Sequence, residues 1–229
     1  MAPEPIKRSA PVTYQSAKKL VVAVGPRGPN SYFLAMVACT LFFLAIGARW
    51  VWVYRYGQPY DIDEAGYLSI ALGDYYALIG HGVIGWFDQV IAPNIQAPLT
   101  TALASLLFYV NGPRPIVAFA VPLVAGALTV IATFFLGRAV GSRPAGLAAA
   151  ILVASCPLIV IYSRSFSFAL PATFVMAFTM LALVLSRRFD RMGWAIVFGV
   201  SLGLMPLART MTLTRQSRNQ TGPIDYLLG

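Results

Sequence analysis

Hydrophobic and polar positions in this chain fall into long separate blocks instead of alternating at a strand or surface-helix period. Residues 115–137, 144–163 and 165–186 run for 23, 20 and 22 positions without a charged side chain. Residues 32–54 form a fourth block, interrupted only by Arg49, and 192–208 form a shorter fifth. A helix needs about 20 apolar residues to cross a hydrocarbon core of about 30 Å. The pattern therefore predicts an all-α integral membrane protein with about five transmembrane helices, at 32–54, 115–137, 145–163, 168–186 and 193–208. A further apolar stretch, "APLTTALASLLFYVNG" (97–112), has an uninterrupted run of 12 residues, Leu99 to Val110. At 1.5 Å per residue that is roughly 18 Å, so it is expected to lie at the interface or to enter only part way.

Composition supports the membrane reading. The 229 residues are 58% hydrophobic and 11% charged, against about 25% charged in soluble domains. The net charge of +9 would suit a nucleic-acid partner, but the basic residues sit in short clusters between the apolar blocks. No basic stretch is interleaved with aromatics outside those blocks, so the expected partner is the lipid bilayer and not nucleic acid. Lys7, Arg8, Lys18, Lys19 and Arg27 precede the first block; Arg138 with Arg143, and Arg187, Arg188 and Arg191, form two later clusters. Such clusters prefer the cytoplasm. All three can lie there only if an even number of crossings precedes residue 138, which agrees with 97–112 not crossing.

The expected organisation is a cytoplasmic basic tail (1–31), a membrane domain (32–209) with an outer loop of interfacial helices (55–114), and a polar tail (210–229). That tail reads as a truncation or frame-change product. The location is the cell membrane, multi-pass, with the N-terminus cytoplasmic. The first block is too long for a signal-peptide core, so it reads as an uncleaved anchor. Trp50, Trp52 and Tyr54 mark its outer end. Cys39 and Cys156 fall inside predicted spans and read as small buried hydrophobes.

The outer loop is chemically distinct. Five of the eight carboxylates, Asp61, Asp63, Glu64, Asp74 and Asp88, lie within 61–90, together with the single histidine, His81. Asp61 followed by Glu64 and then an apolar-periodic stretch predicts a capping box at a helix start. That role accounts for Asp61 and Glu64 but leaves Asp63 free. Over 63–72, Tyr67, Ile70 and Ala71 share a face, which predicts a short amphipathic helix lying on the membrane. A carboxylate at such a surface can act as a general base, and Asp63 with Glu64 could ligate a divalent cation. Asp74 and Asp88 read as solvated loop or cap residues, and His81 as structural. No P-loop, GxGxxG, GxSxG, HExxH or CxxC is present. With this topology Arg55, Arg114 and Arg164 reach the same outer face as the acids.

The order of these features resembles the polyprenyl-phosphate-sugar glycosyltransferases of the GT-C superfold, in particular bacterial relatives of the protein O-mannosyltransferases and the lipid A aminoarabinose transferase. The matching stretches are "DEAGYLSIA" (63–71) after the first span, "LGRAVGSRPAGLAAAILVASCPLIVIYSRSF" (136–166) and "FGVSLGLMPLART" (198–210). The resemblance implies transfer of a polyprenyl-phosphate-linked sugar to an acceptor lipid, glycan or protein on the extracytoplasmic face. Asp63 would be the general base, Arg164 and Arg209 would bind the donor phosphate or else only anchor helix ends at the interface, and Asp61, Glu64 and Tyr67 would support the base or cap its helix. Two stretches depart from the family pattern: "IQAPLTT" (95–101) has Gln96 and Ala97 where a His-Pro-Pro-Leu-like element is usual, and "SFALPATF" (167–174) has Ala169 where many relatives carry an acid. The relatives also have around a dozen or more spans, against five here. The alternative expectation is a non-catalytic membrane subunit or a truncated remnant of such an enzyme.

Overall fold

The structure, a computed structural model, describes residues 29–55, 57–92 and 97–208. Among these residues every regular element is a helix. Helix α1 (Pro29–Trp50) continues into one wider π turn, Val51–Arg55. Together they give an apolar helical run over Asn30–Arg55, and a second such run spans Pro115–Val140. These two are long and apolar enough to cross a membrane by length and composition. The second comprises a single turn, α4 (Pro115–Ala118), and α5 (Ala120–Val140).

The remaining helices are α2 (Ile62–Val90), α3 (Pro98–Asn111), α6 (Arg143–Ser155), α7 (Pro157–Tyr162), α8 (Ala169–Leu185) and α9 (Met192–Ala208). The predicted span at 145–163 is thus two helices that meet at Cys156, where Pro157 removes a backbone donor and the preceding residue is pushed to an extended conformation. The predicted spans at 168–186 and 193–208 appear as 17-residue helices.

Helix α5 lies at the centre and packs on α1, α6 and α8, while α9 packs on α8. Burial separates the two long runs: 61% of the apolar window in Pro115–Val140 is inside, against 22% for Asn30–Arg55. Phe33, Leu34, Leu41, Phe42 and Ile46 of α1 face outward. An apolar face of this extent is stable in lipid and unfavourable in water. The tightest packing is at the α5–α6 turn. A Cβ on Gly146 would stand 2.5 Å from the Phe134 carbonyl oxygen, and one on Gly137 would stand 2.9 Å from the Gly146 Cα. Two glycines let the backbones approach this closely.

Between the two long runs, α2 and α3 pack against each other. The amphipathic helix expected at 63–72 is much longer and is broken at Gly82 (φ 68°, ψ −163°), a conformation essentially restricted to glycine. The break brings the Gln89 amide close to Gly73. The apolar face carried by Tyr67, Leu68 and Ala71 is buried in protein against Val51, Phe119 and Phe166, so it does not simply rest on lipid. Helix α3 is likewise largely buried, through Thr100, Thr101, Ala104, Ser105 and Phe108.

Candidate active site

Asp61 and Glu64 form the predicted capping box. The Asp61 carboxylate accepts from the Ile62 N–H at 2.7 Å, and Glu64 Oε2 accepts from the Asp61 N–H at 3.3 Å. Glu64 does more than cap. It is buried and ion-paired with Arg55, and its Oε1 accepts the Phe166 N–H at 3.1 Å. One carboxylate therefore ties the start of α2 to the end of the first long run and to the loop Ser163–Phe168. The π turn at Val51–Arg55 supplies the arginine and sends Val51 into the core. The Arg55 guanidinium carbon also lies 5.3 Å from the centroids of both the Tyr60 and Phe119 rings.

With Glu64 engaged on that side, Asp63 is exposed and lines a cavity of about 960 Å³. The opposite walls come from α8 (Ala169, Ala172, Thr173, Met176) and α9 (Leu202, Met205, Pro206). Tyr67, Tyr162, Ser167 and Phe168 complete it. The chamber is largely apolar, with one carboxylate and four hydroxyl-bearing residues, Tyr67, Tyr162, Ser167 and Thr173, in its lining. Burial, and then the negative charge of Asp63, push the Tyr67 phenol above its ordinary pKa. Tyr67 therefore stays protonated as a donor beside the acid.

Arg164 is not in this cavity. Its guanidinium lies 5.1 Å from the Trp50 ring centroid, a cation–π contact. It lines a smaller cavity of about 300 Å³ with residues of α1, α6 and α7, among them Cys39, Phe42 and Ile151. The loop Ser163–Phe168 separates the two spaces, with Arg164 on one side, Ser167 and Phe168 on the other, and Phe166 held by Glu64 between them. Arg209 lies outside the described residues. Ala169 is part of the α8 wall of the cavity that Asp63 lines. Glu64 has both oxygens occupied, and among the described residues no group of three or more His, Cys, Asp or Glu is gathered as a metal site.

Asp74 corrects the sequence reading. Expected to be solvated, it is completely buried against α3, with the Thr101 hydroxyl the one donor near its carboxylate among the described residues. His81 and Asp88 are exposed. Of the α8–α9 wall, Ala169 and the stretch 198–210 stand out in sequence only through the family resemblance, while Ala172, Thr173 and Met176 carry no signal, being ordinary components of an apolar span.

Over the described residues, fold and site together define a helical membrane protein with an acid-bearing, largely apolar chamber. The sequence profile of the family described as dolichyl-phosphate-mannose-protein mannosyltransferase matches residues 95–214, 120 of the 229 positions. The chain belongs to that family of GT-C membrane glycosyltransferases. The matched segment holds the α8–α9 wall and Arg164, while Asp63 precedes it. No curated protein and no solved structure matches the chain.

Proposed function

We propose that the protein transfers a sugar from a polyprenyl-phosphate donor to an acceptor hydroxyl on the extracytoplasmic face, with Asp63 as general base. The observation that carries this reading is the position of Asp63, an exposed carboxylate and the one charged residue lining a largely apolar chamber of about 960 Å³. In the reaction, the acceptor oxygen bonds to the anomeric carbon as the bond from that carbon to the phosphate oxygen breaks. The acceptor proton passes to Asp63, and the lipid phosphate leaves with its negative charge. A positioned carboxylate typically contributes a factor of about 10²–10⁴ to such a step. The apolar walls suit the lipid part of the donor.

Arg164 and Arg209 are the proposed partners of the phosphate, where positive charge would stabilise the leaving group. For Arg164 this means a phosphate held beside the Ser163–Phe168 loop. The proposal includes five crossings. Helices α6 and α7 count as one, since 143–162 spans about 30 Å, and the 17-residue helices α8 and α9 span about 25 Å each. The N-terminus is then cytoplasmic and 55–114 external. No step is assigned to a divalent cation, and titrating the assay with EDTA and then Mg²⁺ or Mn²⁺ measures any requirement.

The test is transfer of radiolabelled sugar from polyprenyl-phosphate mannose by membranes carrying the full chain, beside Ala172→Trp. Ala172 lines the chamber, so the indole should obstruct it and remove transfer while the protein remains folded. Equal transfer by a folded Ala172→Trp would place the reaction elsewhere. Absence of transfer by the parent with every polyprenyl-phosphate sugar offered would refute the reading.

A further inference from the structure

Asp74 lies about three turns along α2 from Asp63, on the face that meets α3. It is 0% exposed, and among the described residues no donor meets either carboxylate oxygen in good hydrogen-bond geometry, the Thr101 hydroxyl being the one donor near enough to act on it. Its surroundings on α3 are hydroxyls already committed elsewhere or unused. Thr101 donates to the Pro98 carbonyl at 3.2 Å, Ser105 donates to the Ala102 carbonyl at 2.8 Å, and the buried Thr100 hydroxyl has no partner. The two helices are also joined through the Trp86 indole N–H, which donates to Ser105 Oγ at 2.8 Å.

Among the described residues no cation faces this carboxylate. Helix α3 carries one ionisable group, Tyr109, which is exposed; α4 and α9, which pack on α3, carry none. Helix α5 touches α3 too, and its ionisable residue, Arg138, is exposed. On α2 itself Tyr75 packs against Phe108, and Tyr76, His81 and Asp88 are exposed. At the other end of α2, Arg55 is held by Glu64. A buried carboxylate with no cation and a single hydroxyl donor in reach is disfavoured in its charged form. Accordingly, burial pushes the Asp74 carboxyl up to about 6, with Thr101 the one group acting in the opposite sense.

We propose that Asp74 is a proton-binding clasp between α2 and α3: uncharged, it lets the two helices close over it, and ionised, it favours an opened arrangement in which water reaches it. Because α2 also carries Asp63 and Tyr67, the clasp sets how firmly that wall of the chamber is held. It rests on the α2–α3 packing and not on the proposed transfer reaction.

Hydrogen exchange of the full chain in lipid nanodiscs, read by mass spectrometry from pH 4 to pH 7 and corrected for intrinsic rates, tests it. The readout is protection of 98–111 relative to 120–137, a stretch without ionisable side chains. In the parent this ratio should fall on the order of a hundredfold as pH rises, and in Asp74→Asn, which keeps the shape but cannot ionise, it should stay flat. A flat ratio in the parent overturns the proposal whether or not the variant folds. So does an equal fall in both proteins. Protection at pH 7 that rises with NaCl but not with choline chloride also overturns it, by making the space a metal-ion site.

Discussion

Replacing Glu64 by Gln preserves volume and leaves an amide oxygen able to accept from the Phe166 N–H, but it removes the negative charge opposite Arg55. The side chains of Arg55 and Glu64 are only 12% and 7% exposed. Removing one member of a buried ion pair typically costs about 3–5 kcal/mol, because the other charge remains desolvated. Arg55 has little else to rely on. Its Nε has no hydrogen-bond partner, and its contacts with the faces of Tyr60 and Phe119 are worth about 0.5–2 kcal/mol each. At roughly 2–4 °C per kcal/mol for a chain of this size, Glu64→Gln should lower the Tm by about 6–20 °C. Thermal unfolding in nanodiscs, followed by intrinsic fluorescence, measures this. The exposed Asp88→Asn is the control and should be silent. The double variant Arg55→Met/Glu64→Gln, which buries no charge, should recover most of the loss. The reasoning is refuted if Glu64→Gln shifts the Tm no more than Asp88→Asn, or if the double variant is worse than either single one.

Other consequences can be checked in the same preparations. Gly146→Ala should destabilise by about 1–3 kcal/mol through overpacking at the α5–α6 approach, whereas Gly199→Ala on α9, where a Cβ meets open space, should be neutral or gain up to about 1 kcal/mol; a Tm comparison decides. Asp74 makes stability depend on pH with a definite sign. Its folded-state pKa, about 6, lies above the ordinary value of 3.8, so the folded protein binds the extra proton and the contribution is full below pH 3.8. Stability should then fall by about 1.4 kcal/mol per pH unit between 3.8 and 6, roughly 3 kcal/mol in all, with Asp74→Asn lacking this component in a pH series of unfolding curves. Arg164→Met should raise the KM for the polyprenyl-phosphate donor about tenfold or more with little change in Tm; an unchanged KM would confine Arg164 to its place on Trp50.

Elements whose cause is local were readable in the sequence. Runs of 20 or more uncharged residues produced the helices of 115–140 and 143–162, and the Asp61–Glu64 spacing produced the capping box. By the same reasoning Asp63 was left over, and it is the acid that lines the chamber. Features that depend on contacts between distant segments were not readable. Nothing near Glu64 in sequence indicates that Phe166 would donate to it, or that a π turn would deliver Arg55. Nor did spacing reveal Asp74: an acid between Gly73 and Tyr75 in a polar loop reads as solvated, and only the return of the chain after Gly82 and the packing of α3 close it off. Arg164 was placed on the outer face by charge counting, but which of two adjacent cavities it enters depends on the path of the Ser163–Phe168 loop.

The most direct test of the central claim is single-turnover transfer by Asp63→Asn, with donor binding measured separately. Asparagine keeps the shape and polarity of the side chain but cannot accept the acceptor's proton. The account predicts donor affinity within about threefold of the parent and a rate constant for transfer lower by about 10²–10⁴. Transfer at the parental rate by Asp63→Asn would contradict it.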